Sequence, residues 1–301
     1  MKFAIITGGW SHERDENIHA AEDVYNSLSH YHEVKKFIFF PDYVPEENKE
    51  LFVSLKQFNP DFTFLCTTEE LPIQGVLDFL GLKYSGSNVL TTALSLDKDK
   101  CKRLFETEHI PTPKWVLLTK GQKIPDRLPF EFPVIVKPND SGSSCGVRII
   151  KNFLEIESAI EHAFLFSTEV LIEEYIAGTE VTVPMLGDLI LPPIEIFQKS
   201  GKEIFDYESK INFRENVEYR IADLDRELFQ KLKHTMHSLK KLFSIQSIFR
   251  ADFMVKGKDI FLLEINTLPC LANGMMGVSA RGYGWTYDQL LLNVAHCPSS
   301  H

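Results

Sequence analysis

Residues 248–266, IFRADFMVKGKDIFLLEIN, constrain the fold more than any other stretch of this chain. Two apolar runs flank the polar turn Gly257-Lys258-Asp259, the pattern of a β-hairpin. With those three residues as the loop, Lys256 faces Ile260, Asp252 faces Glu264 and Arg250 faces Asn266. Alternation then puts Arg250, Asp252, Glu264 and Asn266 on one face of the ladder and Ala251, Phe253, Leu263 and Ile265 on the other. Two carboxylates and an amide carbonyl converging from paired strands form a hard-oxygen site suited to Mg²⁺, and such a site commonly handles a phosphate as well. The hairpin alone leaves open a salt-bridged exposed face in which Arg250 neutralises Asp252. A two-residue loop would also break the facing register.

The chain has 301 residues, enough for two or three packed modules, and its 44% hydrophobic and 25% charged residues are ordinary for a globular protein. A formal charge of −10 with scattered basic residues argues against nucleic-acid binding as the main task. Met1-Lys2 leads straight into a short apolar run and Gly8-Gly9, unlike a signal peptide, and no stretch approaches the roughly 18 consecutive apolar residues of a membrane span. Five dispersed cysteines (Cys66, Cys101, Cys145, Cys270, Cys297) without a CxxC pair suit reduced thiols in a cytoplasmic enzyme.

Residues 1–90 alternate strand-like segments (3–7, 33–40, 61–66) with helix-like ones (11–29, 48–58, 71–80), which predicts a βαβαβ unit with a doubly wound parallel sheet. The Gly8-Gly9 turn lacks a full GxGxxG, so it is a weak nucleotide signal. Strands and helices continue to about residue 178, and β-rich segments then surround one long helix at 225–243. No long Gly/Ser linker intervenes, so the modules are expected to pack around a shared cleft.

Three further segments carry chemistry. In PVIVKPNDSGSSCG (133–146) a β-branched strand ends at Lys137-Pro138 and runs into a loop of small residues. Such residues let backbone N–H groups approach phosphate oxygens beside the lysine cation. No Gly-Lys-Ser/Thr closes the loop, so it is not a Walker A sequence, and an ordinary surface loop is the alternative. In VLIEEYIAGTE (170–180) a strand ends in acids: Glu173 and the backbone near Tyr175-Ile176 suit an adenine edge, Glu180 suits ribose hydroxyls, and solvated acids are the alternative. Lys98 in LSLDKDK and Lys210 in FDYESK read as surface lysines on their own.

Taken in order, KP with its Gly/Ser loop, LIEEYIAGTE, LPPIEI, FDYESK and FRADFM…FLLEINTLP resemble the ATP-grasp enzymes, specifically the D-alanine–D-alanine ligases. GGWSHERDENI and YSGSNVLTTALSLDKDKCK resemble that family's opening and its YTGS…S-x-DK segment, so the resemblance covers nearly the whole chain. It implies an α/β ATP-grasp fold: an N-terminal substrate-binding domain (1–90) and two α+β lobes (91–180 and 181–301) that clamp ATP. It implies that Lys98, Lys137 and Lys210 contact the phosphates, with Ser144 in a loop (141–146) that closes over the transferred group. Glu173 with the main chain of Tyr175 and Ile176 would bind adenine, and Glu180 the ribose. Asp252, Glu264 and Asn266 would hold two Mg²⁺ ions, or Mn²⁺ in their place. Arg250 would stabilise developing negative charge, Glu13 would take the first amino acid's ammonium, and Ser143 would orient the centre. The implied reaction joins a carboxylate to an amine through an acyl phosphate, in the cytoplasm and in peptidoglycan biosynthesis. Small amino acids are the implied partners, with a homodimer by analogy and neither nucleic acid nor membrane.

Departures from the family pattern fall on substrate positions. Leu65-Cys66-Thr67-Thr68-Glu69-Glu70 replaces a longer His-containing segment, and Ile211 stands where the family has Tyr or Phe. Cys270 replaces a glycine that helps form the oxyanion hole. Met275, followed by Met276, replaces a serine that binds the second substrate's carboxylate, for which Arg214 or Arg281 would be substitutes. Two ligase readings therefore stand: a D-Ala–D-Ala-type ligase with unusual substrate residues, or an ATP-grasp ligase joining a different pair. A non-ligating nucleotide-binding protein and a kinase on the same fold are the readings from other classes.

Overall fold

The computed structural model describes residues 1–9, 13–40, 45–69, 71–142, 144–198 and 217–299. In β1 (Lys2–Gly8) Phe3, Ala4, Ile5 and Ile6 are all fully buried, the mark of a central strand covered on both faces. It is followed by α1 (Arg14–Leu28), β2 (Glu33–Phe39), α2 (Pro45–Phe58), β3 (Phe62–Cys66) and α3 (Ile73–Leu80). The three strands pair in parallel in the order β2-β1-β3. Alternation along β1 divides its side chains. Phe3 and Ile5 pack with Ala20, Ala21, Val24 and Leu28 of α1, whereas Ala4 and Ile6 pack with Leu55 of α2 and Leu77 of α3. Helices on both faces make this the expected doubly wound unit.

The chain continues through α4 (Val89–Leu96), α5 (Lys98–Thr107), β4 (Trp115–Thr119), β5 (Val134–Pro138), β6 (Arg148–Ile150), α6 (Ile156–Ala163) and β7 (Glu169–Glu174). The four strands form an antiparallel sheet in the order β4-β7-β5-β6, with Ile156, Ala159, Ile160 and Ala163 of α6 on one face. After β7 the chain crosses to a second antiparallel sheet: β8 (Thr179–Leu186), β9 (Leu189–Ile190), β10 (Ile194–Gln198), β11 (Val217–Ile221), then α7 (Arg226–Leu242), β12 (Ile248–Lys256) and β13 (Asp259–Asn266). Its order is β11-β10-β8-β12-β13, with β9 alongside β8. Helix α7 starts at an Asp225 cap that accepts the Leu228 N–H at 2.8 Å, and it buries Leu228, Leu232, Met236 and Leu239 at helical spacing against this sheet. Two helices, α8 (Met275–Tyr283) and α9 (Tyr287–Ala295), end the described chain. Among the described residues no helix is long and apolar enough to cross a membrane.

Packing cuts across the contiguous ranges 1–90, 91–180 and 181–301. Cys101 and Phe105 of α5, with Ile110, join the core of the second sheet and not that of the four-stranded sheet. Met276, Ala280, Leu290, Leu291 and Val294 of α8 and α9 join the core of the N-terminal sheet and α1. Both segments pack away from their neighbours in sequence because amphipathic helices cover whichever apolar face lies nearest in space.

Candidate active site

The three layers meet at a cleft of about 1280 Å³ lined by α1, the start of α5, the ends of β5 and β7, and the β8–β12–β13 face. On that last face the hairpin pairs Asp252 with Glu264 and Arg250 with Asn266, as the sequence predicts, but by a different route. The turn has two residues, Gly257-Lys258, with Gly257 at φ +60° and Lys256 paired with Asp259. The register shifts between Asp252 and Phe253, and a bulge at Leu263 restores the facing pairs. Its cost is one side chain: Leu263 turns into the cleft, whereas Ala251, Phe253 and Ile265 stay in the core as expected.

Asp252 is buried, with Oδ2 accepting from Asn266 Nδ2 at 2.9 Å and Oδ1 3.4 Å from Arg250 Nε without a hydrogen bond. Burial and the neighbouring Glu264 push its carboxyl above the ordinary range, against the pull of Arg250. Burial works against the Arg250 charge, but Asp252, Glu264 and Glu69 around it hold it protonated. A carboxylate oxygen buried without a donor, beside a second carboxylate and an amide, is what an oxygen-seeking divalent cation needs. Among the described residues no three His, Cys, Asp or Glu side chains cluster as ligands, so the candidate set is two carboxylates with an amide.

Lys98 opens α5 behind the Asp97 cap, which accepts the Lys100 N–H at 3.0 Å. Its Nζ donates to Ser141 O at 2.7 Å and stands 3.9 Å from Glu264, so it ties the Gly/Ser loop to the hairpin. Buried Asn139, which sequence reading passed over, fixes this junction. Its side-chain oxygen accepts Asp99 N at 2.8 Å, and its Nδ2 donates to Asp97 at 3.0 Å and Glu169 at 3.1 Å. The loop reaches α1 as well: a Cβ on Gly142 would lie 2.9 Å from Glu13 Oε1, and Ser144 takes φ +54°. Ser143, Lys210, Ile211 and Arg214 lie outside the described residues.

Glu173, expected from the resemblance at an adenine edge, lies at the base of the cleft wall. It is fully buried, and its two oxygens meet Lys102 and Lys137. Those two ammonium groups overcome the burial penalty and hold the carboxyl below its ordinary range. Its charge is therefore committed to lysines, and Tyr175, Ile176 and Glu180 line the cleft wall beyond it. Lys102 was not singled out from the sequence. The available signal was its position one helical turn after Lys98, on the same face of α5.

Glu13, Cys66, Glu69, Cys270 and Met275 also line the cleft. Glu69, also missed, accepts the Leu268 N–H at 3.2 Å, and burial together with Glu13 raises its pKa to about 7. Tyr219 on β11 lines the cleft too, and burial raises its hydroxyl pKa. Met276 does not belong to the cleft: it is buried in the core beneath α8, because consecutive helical residues point about 100° apart. Arg281 donates to Asn273 Oδ1 at 3.1 Å and is absent from the lining, so it does not replace the missing serine.

Comparison with known proteins agrees with this geometry. A family model described as "D-ala D-ala ligase C-terminus" matches residues 104–295. The chain is 32% identical over 300 residues to D-alanine–D-alanine ligase of Bacillus anthracis, covering 97% of this chain and 95% of that protein. It is 30% identical over 298 residues to the Aquifex aeolicus ligase, covering 97% and 98%. The crystal structure of the Bacillus anthracis ligase complexed with ATP superposes with a TM-score of 0.82 at 28% identity, covering 99% of this chain and 97% of that one. VanG D-Ala:D-Ser ligase from Enterococcus faecalis shares the fold, with a TM-score of 0.77 at 22% identity over 98% of each chain. By the extent of these matches, the chain belongs to the D-alanine–D-alanine ligase family, and its fold is ATP-grasp.

Proposed function

We infer that the protein joins the carboxylate of one amino acid to the amine of a second, with ATP converted to ADP and phosphate, and that D-alanine is the first substrate to try. The observation that carries this reading is a single cleft shared by Lys98 and Lys137, the Asp252–Glu264–Asn266 set, Arg250 and Glu13. A phosphoryl group and an attacking carboxylate are both negative, so their approach needs cations on several sides. Lys98 and Lys137 stand on the nucleotide side of that approach, and Lys210 is assigned there by family likeness alone. Arg250 faces the position where charge grows on the acyl phosphate and on the tetrahedral adduct. Glu13 and Glu69 take the first amino acid's ammonium. The backbone of Tyr175 and Ile176 supports adenine, and Glu180 the ribose.

The donor set of Asp252, Glu264 and Asn266 fits Mg²⁺, with Mn²⁺ as a substitute. When bound there, the cation supplies neutralising charge to the phosphates. The carboxylate of the first amino acid attacks the terminal phosphorus, ADP leaves, and the amine of the second attacks the acyl carbon and expels phosphate. Ser141 and Gly142, seated over Lys98 and against Glu13, help keep water from the acyl phosphate while the amine approaches. A peptidoglycan role follows from family membership.

The acceptor side is less polar than the family pattern because Met275 and Cys270 stand where serine and glycine are usual. Phosphate release should be measured with D-alanine, L-alanine and other small amino acids, with product masses. Amide formation that requires ATP supports the reading, whereas ATP turnover giving a stable phosphorylated amino acid would establish a kinase instead. Met275→Ser is expected to lower the KM for D-alanine as acceptor by about tenfold or more, the worth of one hydrogen bond to a charged group, roughly 1.5–3 kcal/mol. An unchanged KM would remove Met275 from the acceptor subsite.

A further inference from the structure

We propose that Lys102 is a positioning residue for the nucleotide: it occupies one side of the Glu173 carboxylate so that the charge of Lys137 remains available to a phosphate. The inference rests on the nucleotide reading above and extends it to a residue that never touches the ligand. Lys102 is fully buried, and its ammonium donates to Thr112 Oγ1 at 2.7 Å and to Pro113 O at 3.0 Å and forms an ion pair with Glu173. The Trp115 ring lies 5.3 Å from it. These contacts fix its position. Lys137, on the other side of Glu173, has an 11% exposed side chain and lines the cleft.

Two ammonium groups share one carboxylate, so the buried group carries one surplus positive charge, and only Lys137 has access to the cleft. Without Lys102, Glu173 would neutralise Lys137 and the surplus would vanish. The remaining acid and base would still balance, so the core keeps its charge pairing and the fold is expected to survive.

A pH dependence follows from the same geometry. The groups facing Lys102 are Glu173 from β7, Lys137 from β5 and Cys101 from its own helix; Thr112, Pro113 and Trp115 carry no charge. Burial, reinforced by Lys137 and opposed by Glu173, lowers the Lys102 pKa to about 8. Below that pH Lys102 is charged and the surplus is present; as pH rises through about 8 the proton leaves and phosphate binding weakens.

The test is calorimetric titration with ADP in the presence of Mg²⁺, and separately with adenosine, which has no phosphate. Lys102→Met is expected to weaken ADP by about tenfold and leave adenosine unchanged. The double variant Lys102→Met with Glu173→Gln removes one charge of each sign, frees Lys137 and should recover most of the ADP affinity. Wild-type ADP affinity should fall above pH 8, and that of the double variant should not. Wild-type ADP binding by Lys102→Met overturns the proposal, as does an equal loss of ADP and adenosine, which marks a purely structural lysine. Lys137→Met separates the two levels: if that variant binds ADP normally, the phosphate assignment of Lys137 is what fails.

Discussion

Asp252→Asn and Glu264→Gln are each expected to lower ligation turnover by roughly a hundredfold to a thousandfold, with the unliganded protein no less stable than wild type. The activity loss follows from removing a cation ligand beside a phosphoryl group, where a preorganised charge contact has about that effect. The stability claim follows from the pKa direction at Asp252. Its folded-state pKa lies above the ordinary value because of burial and Glu264. The folded state therefore favours the protonated carboxyl, and stability is lost as pH rises through the folded pKa. Ionising Asp252 is therefore a cost to the fold, which an isosteric amide relieves. Arg250 keeps Glu264 and Glu69 as electrostatic partners in the Asp252 variant. Ligand linkage separates the two effects: ATP with Mg²⁺ should raise the Tm of wild type, since saturation a hundredfold above Kd contributes about 2.7 kcal/mol, and should do so much less for either variant. Phosphate release and scanning calorimetry on the same samples decide it. Near-wild-type turnover in both variants would remove these carboxylates from the metal site.

The hairpin was legible because its information is local: two apolar runs, a turn and the period of two that puts Asp252 opposite Glu264. The route to that register was not. A two-residue turn shifts every pair by one, and the bulge at Leu263 shifts them back above Phe253. Sequence alone does not position such a bulge, because β12 is also paired with β8, whose register is set by a different part of the chain. The doubly wound N-terminal unit was legible for the same reason, from strands and helices that alternate at regular intervals.

Glu173 shows where local reading stops. Its place at a strand end near Gly178 was visible, but its partners come from α5 and β5, 71 and 36 residues earlier in the numbering of Lys102 and Lys137. Charge balance inside the lobe is therefore a tertiary property. Met276 illustrates the converse error, since a linear match places it next to Met275 although helical rotation sends the two side chains to different surroundings. Tyr219 on β11 had no sequence signal at all, and it reaches the cleft because β11 lies at the edge of the β8 sheet that packs against α8.

Gly86→Ala is expected to destabilise the protein by about 3 kcal/mol and to impair ligation, whereas Gly121→Ala should cost only about 1 kcal/mol and leave activity unchanged. Both glycines have φ +87°, so both substitutions incur the same left-handed backbone penalty. They differ in surroundings. A Cβ at Gly121 would meet nothing within 4 Å, whereas one at Gly86 would lie 2.2 Å from Leu268 Cδ2 and 2.9 Å from Thr267 O. The leucine methyl is the end of a flexible side chain, but the carbonyl belongs to a backbone held by the Ser87 N–H at 3.1 Å and flanked by a Ser95–Thr267 hydroxyl contact at 2.8 Å. Gly86 O in turn accepts from Ser299 Oγ at 2.6 Å, so the glycine cannot retreat without breaking that bond. This junction joins the N-terminal unit to the segment that leaves the β12–β13 hairpin: Asn266 ends β13, and the Leu268 N–H donates to Glu69 in the cleft. Displacing Thr267 therefore moves a candidate metal ligand and a candidate ammonium partner together, which is why activity should fall along with stability. Chemical denaturation of the two variants beside wild type, with turnover measured on the folded fraction, is the comparison required. Equal destabilisation by both would show that backbone strain alone accounts for Gly86 and that its contact with the hairpin exit contributes nothing.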